Sequence, residues 1–118
     1  MTTTPDKELL ELAAKAAGME NMKWTGISLA KKYDPSKADH ETGSIGLDWN
    51  PLINNSDAFK LSVDLWLHIE PFDNNITVWF RKERYEAMQK IQQTVEPDPY
   101  AATRRAIVRA AAEIGKTL

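Results

Sequence analysis

The sequence has no cysteine, only two histidines and only five glycines in 118 residues. Without thiols there is no disulfide framework, no thiolate zinc site and no cysteine nucleophile, and the composition fits a reducing compartment. Positive charge is not in excess either: 15 basic against 17 acidic side chains leave a formal net charge of −2. The chain therefore lacks the overall attraction to phosphate on which sequence-independent nucleic-acid binders rely. Long apolar runs are also missing. The most apolar stretch, Ala58 to Ile69, is interrupted by Lys60, Ser62 and Asp64, and it falls far short of the roughly 20 residues that span a bilayer. The opening residues, Met1 to Lys7, are polar where a secretory signal carries a basic segment and then an apolar one. No glycine-rich phosphate loop occurs, and Ser28, Ser36, Ser44, Ser56 and Ser62 stand in no nucleophile-elbow context.

What is present suits a folded domain. A hydrophobic fraction of 42% and a charged fraction of 27% place the chain among globular proteins rather than disordered ones. A chain of this length buries roughly two-thirds of its unfolded surface, enough for one core. With no repeat, low-complexity tract or linker, residues 1–118 read as a single α+β domain.

The first helix is expected from Thr4 as cap and Pro5 as first helical residue, through Asp6 and Glu8 near the positive end of the dipole, to Gly18 as terminator. Leu9, Leu12, Ala13, Ala16 and Ala17 form its apolar stripe. Lys23 to Tyr33, with Trp24, Ile27 and Leu29, reads as one strand weakened by Gly26. Asp34 to Gly46 carries loop chemistry throughout and is the segment expected to be mobile. A second helix is expected to begin near Asp57 with Asn55 or Ser56 as cap, and its residues Phe59, Val63 and Trp66 fall on one face.

From Leu67 the spacing becomes alternating, and Asp73-Asn74-Asn75 supplies the polar turn of a hairpin whose second arm contains Ile76, Val78 and Phe80. Glu83 to Val95 suits a helix or a strand; a turn near Glu83 followed by a strand ending before Pro97 is favoured, because a hairpin needs further pairing for stability. The last helix is signalled by Asp98 as cap, Pro99 at the first position and Gly115 after the final turn. Tyr100, Thr103, Ile107, Ala110, Ala111 and Ile114 line its inner side, with alanines small enough for close approach to a sheet. The predicted architecture is a small antiparallel sheet of three to four strands packed with about three helices, an α/β sandwich.

Candidate chemistry is sparse. His68 and Glu70 sit two apart on a strand and point the same way, with Asp73 in the turn beyond. His68-Ile69-Glu70 has the spacing of the first half of a zinc-deaminase signature, but the cysteine pair of that signature is missing. The carboxylates Asp48, Asp57, Asp64, Glu70 and Asp73 are read as helix caps and solubilising surface groups. No catalytic residue, metal ligand set or cofactor is assigned. Arg104, Arg105 and Arg109 form the basic cluster of the last helix, suited to an anion or to carboxylates on a partner; Arg109 and Glu113 also have the spacing of an intrahelical ion pair. Of the four tryptophans, Trp24, Trp49, Trp66 and Trp79 are expected in the core, with Trp49, beside Asn50 and Pro51, as the one reaching a contact surface.

The segment Trp49-Asn50-Pro51-Leu52, the helix start at Asp57-Ala58, the hairpin and the alanine-rich helix Ala102 to Ala111 together resemble the phage and prophage ABA-sandwich (NinX-like) proteins, over roughly Asp48 to Gly115. The resemblance implies a phage or prophage accessory protein of the bacterial cytoplasm, in a family without assigned chemistry, and it carries over no catalytic residue. The leading expectation is a non-enzymatic binding module that engages a host or phage protein, or a second copy of itself, through a sheet edge or helix face. The alternative is a nucleic-acid or anion binder acting through Arg104, Arg105 and Arg109. A small hydrolase or metal-dependent enzyme ranks third.

Overall fold

The computed structural model describes residues 5–19, 22–24, 29–31, 48–83 and 85–118. Helix α1 spans Asp6–Ala16, with Pro5 at the N-cap rather than inside the helix. Proline has no N–H to offer, and its carbonyl accepts the first helical bond, from Leu9 N at 3.0 Å. The expected cap, Thr4, lies outside the described residues. Past the helix, Gly18 takes φ 75. Its N–H donates to the Lys15 carbonyl and that of Met19 to the Ala14 carbonyl, the paired bonds of a Schellman ending.

The buried stripe of α1 is rotated from the predicted one. Leu9, Leu10, Ala13 and Ala14 are buried, whereas Leu12, Ala16 and Ala17 only pack at the margin of the core. The partner of α1 sets this rotation. The helix lies chiefly along the last helix, α3 (Pro99–Gly115). Asp6 meets Arg105 near one end of the contact and Leu12 meets Gly115 near the other, so the two helices run in the same direction.

The single strand expected over Lys23 to Tyr33 is instead two, β1 (Met22–Trp24) and β2 (Leu29–Lys31), which pair antiparallel with Trp24 opposite Leu29. The chain thus reverses direction between Trp24 and Leu29. A short β3 (Asp48–Trp49) adds to β2 with Trp49 opposite Leu29. The loop expected over Asp34 to Gly46 lies outside the described residues.

Helix α2 spans Asn55–Asp64, and its cap is Asn54, one residue before those expected. The Asn54 side chain accepts from Asp57 N at 2.9 Å. Its buried residues are Ala58, Leu61 and Ser62. Phe59, Val63 and Trp66, the face expected to turn inward, are exposed. The correction has a steric reason: α2 packs against the alanine-rich α3, and Ala58 and Ser62 admit an approach between helix axes that Phe59 would prevent.

The second sheet follows the predicted pattern. Strands β4 (His68–Pro71), β5 (Asn75–Phe80) and β6 (Gln89–Thr94) are antiparallel in the order β4-β5-β6. Ile69 lies opposite Val78, and Val78 opposite Ile91, so these three share the inner face. Of the segment that suited a helix or a strand, Gln89–Thr94 is strand, as favoured. On β5 the alternate residues Ile76, Val78 and Phe80 are buried beneath α3.

Helix α3 has the expected cap, with Asp98 accepting from Tyr100 N at 2.9 Å and Pro99 in the first turn. Ile107, Ala110, Ala111 and Ile114 are buried as read from the sequence, but Tyr100 is exposed. Gly115 does not follow the helix; it is the last residue within it and is buried. Burial extends around much of α3, because α1 covers one side while β5, β6 and α2 meet others. Alanine is what permits contact on so many sides at once. Among the described residues the fold is thus α+β: three helices with two three-stranded antiparallel sheets. No helix among them is long and apolar enough to cross a membrane.

Candidate functional site

The three arginines of α3 do not converge on a common surface. Arg104 Nε donates to the Leu52 carbonyl at 2.8 Å and its Nη1 to Asn55 Oδ1 at 2.8 Å, pinning α3 to the entrance of α2. Arg105 Nη2 reaches Asp6 Oδ1 at 3.0 Å on α1. Arg109 Nη1 donates to the Gln92 carbonyl at 3.0 Å and to Gln93 Oε1 at 2.9 Å on β6. Each guanidinium serves a different neighbour. The ion pair expected between Arg109 and Glu113 is replaced by one between Lys116 and Glu113 at 2.8 Å. Arg104→Ala should therefore behave as a stability variant and lower the free energy of unfolding by about 1–2 kcal/mol, the usual scale for hydrogen bonds from a charged donor. Arg105→Ala, which loses only a surface pair, should lose less than about 1 kcal/mol. Urea titration of the two variants checks this, and equal losses would remove the distinction.

The second candidate, Trp49-Asn50-Pro51, is interior rather than surface. All three are buried, which corrects the expected contact role. Asn50 N donates to Asp57 Oδ2 at 3.0 Å, and Asn50 Oδ1 accepts from Leu52 N at 3.0 Å. The segment is a tight turn that seats α2 on the core, with Trp49 as its apolar anchor. Arg104 closes on the same turn through the Leu52 carbonyl, so α3 and the entrance of α2 form one structural joint.

His68 and Glu70 both lie exposed on edge strand β4, opposite Trp79 and Thr77 respectively. Among the described residues no group of three or more His, Asp or Glu side chains is placed to hold a metal ion. Trp79 is partly buried, with Lys90 Nζ 5.6 Å from its ring centroid. Its Nε1 is buried without a hydrogen-bond partner among the described residues.

The feature that sequence reasoning placed wrongly is the end of α2. Trp66 is 84% exposed and its φ is 57. It occupies the left-handed position after the helix: Trp66 N donates to the Val63 carbonyl and Leu67 N to the Ser62 carbonyl. Gly18 fills the equivalent position of α1, and glycine is the residue this geometry favours. A tryptophan there costs about 1 kcal/mol of backbone strain, and an exposed indole recovers little of it through burial. Phe59 and Val63, at the spacing i, i+4 of an apolar row on α2, are exposed as well and lead up to it.

Beside Trp66 opens a cleft of ≈ 570 Å³. Leu65 and Trp66 from the end of α2, His68 from β4, Arg81, Lys82 and Glu83 from the segment after β5, and Met88 just before β6 line it. The sequence held a signal for the inverted helix. Ala58, Leu61, Ser62 and Leu65 form a second row at helical spacing, smaller and less apolar than the first. A helix with two such rows has one for its own core and one left over.

Comparison of the chain with protein-family models, with curated proteins and with solved structures finds no match. The class that fold and site define is an α+β domain with an exposed apolar face on α2 and an adjoining cleft.

Proposed function

We propose that this chain is a non-enzymatic binding module of phage or prophage origin that engages a protein partner through the face of α2 ending at Trp66. The observation that carries the reading is a large indole held exposed in a backbone conformation that disfavours it. Strain retained at an exposed aromatic residue points to recognition rather than to folding. Tryptophan is also the side chain most enriched at the energetic centres of protein interfaces. Phe59 and Val63 extend the row in the manner of a helix that docks into a partner's groove. Edge strand β4 is a weaker surface: it is four residues long, carries Glu70 and ends in Pro71, and such edges resist strand addition. The phage setting rests on the resemblance of the Trp49 to Leu52 segment, the Asp57-Ala58 helix start, the hairpin and the alanine-rich helix taken together.

The reading is tested by Trp66→Gly. The variant should be more stable than the parent by about 1 kcal/mol, since glycine relieves the left-handed strain. It should also lose the peptides that the parent enriches from a displayed random-peptide library. A variant less stable than the parent would make Trp66 a structural residue. A library from which the parent enriches nothing, or nothing that depends on Trp66, would end the reading.

A further inference from the structure

The cleft beside Trp66 differs from the rest of the molecule in its charge. The chain as a whole is acidic, with a net charge of −2, yet Arg81 and Lys82 stand together at the cleft against one carboxylate, Glu83. Unlike the α3 arginines, these two cations make no hydrogen bond or ion pair among the described residues. Leu65, Trp66 and Met88 provide the apolar part of the lining. Methionine and an exposed indole adapt to varied apolar side chains, while unpaired cations at the margin select the charge of what approaches.

We propose that this cleft docks an acidic peptide segment of the partner, with one apolar side chain seated among Leu65, Trp66 and Met88 and flanking carboxylates received by Arg81 and Lys82. The inference rests on the protein-binding reading and specifies the partner's chemistry. A peptide fits better than a nucleic acid. Backbone recognition of nucleic acid draws on several neutralised phosphates, whereas among the described residues this cleft offers two cations beside a carboxylate. An arginine receives a carboxylate through two parallel hydrogen bonds, and the volume suits a side chain and its neighbours rather than a run of nucleotides.

The test uses fluorescence anisotropy on the full chain with three labelled probes: a peptide with a central leucine flanked by glutamates, the same peptide with lysines in place of the glutamates, and a short oligodeoxythymidine. The parent should bind the glutamate peptide and discriminate against the lysine peptide. Arg81→Glu combined with Lys82→Glu should weaken the glutamate peptide about tenfold or more and transfer preference to the lysine peptide. Because neither side chain has a partner to lose among the described residues, the double variant should unfold at the parent's denaturant concentration. Should it not, Arg81→Gln carries the test, with an expected weakening of about threefold.

The inference is overturned if the two peptides bind the parent equally, if neither binds, or if the oligonucleotide binds more tightly than the glutamate peptide. It also falls if library-selected peptides require Trp66 yet ignore the charge reversal, a result that leaves the protein-binding reading standing. If selection yields nothing that depends on Trp66, both fall together.

Discussion

Gly115→Ala should lower the free energy of unfolding by about 3 kcal/mol, although the same substitution at an open helix position gains roughly 0.5–1 kcal/mol from improved helix propensity. The reversal comes from α1. A Cβ built on Gly115 lies 2.0 Å from the Leu12 carbonyl oxygen and 2.8 Å from its carbon. Both atoms are backbone, so relief requires moving one helix against the other rather than turning a side chain. Because α1 and α3 share the most extensive contact between elements, such a shift disturbs much of the core. Gly18→Ala is the control. Among the described residues nothing lies within 4 Å of its Cβ, and its loss of about 1 kcal/mol should come from positive φ. Urea unfolding of the two variants separates the effects. A loss at Gly115 no larger than that at Gly18 would mean that the end of α3 yields without engaging α1.

Phe80→Ala should cost still more, about 3–5 kcal/mol, the range for truncating a buried phenylalanine. Phe80 is among the largest fully buried side chains, at the end of β5 beneath α3. At roughly 0.05–0.15 kcal/mol per residue, the loss is a large share of the stability of a domain this size. Phe59→Ala, on the outer face of α2, should change stability by no more than about 0.5 kcal/mol. Two phenylalanines on ordinary apolar patterns thus give opposite results. Comparable losses at both sites would mean that the α2 row is interior and would remove the basis of the binding proposal. Because Phe80 immediately precedes Arg81 of the cleft, its truncation should also weaken the glutamate peptide, whereas Phe59→Ala should leave cleft binding intact.

The contrast between the two phenylalanines shows where the sequence was legible. Phe80 alternates with Val78 and Ile76 on a strand whose turn, Asp73-Asn74-Asn75, is written beside it, and the strand leaves only two faces to choose between. Phe59 lies on a helix with two apolar rows. The larger row is the natural choice for a core, and it is the wrong one, because α2 packs against the alanine-rich α3, where closeness outweighs bulk. The cleft was illegible for a related reason. Leu65, Arg81 and Met88 are separate in sequence, and only the return of β5 into β6 alongside the end of α2 brings them together.

The sequence by itself determined the α+β class, the capped start of α3 at Asp98 and Pro99, the left-handed exit of α1 at Gly18, and the β4-β5-β6 meander. These are local matters, set by hydrogen bonds and dihedral preferences within a few residues. Only the tertiary structure decided that Arg104 binds a carbonyl 52 residues away, that Gly115 is a contact rather than a terminator, and that Trp49 is interior while Trp66 stands outside. Burial and pairing belong to two segments at once, so one segment's pattern cannot fix them until its neighbour is in place.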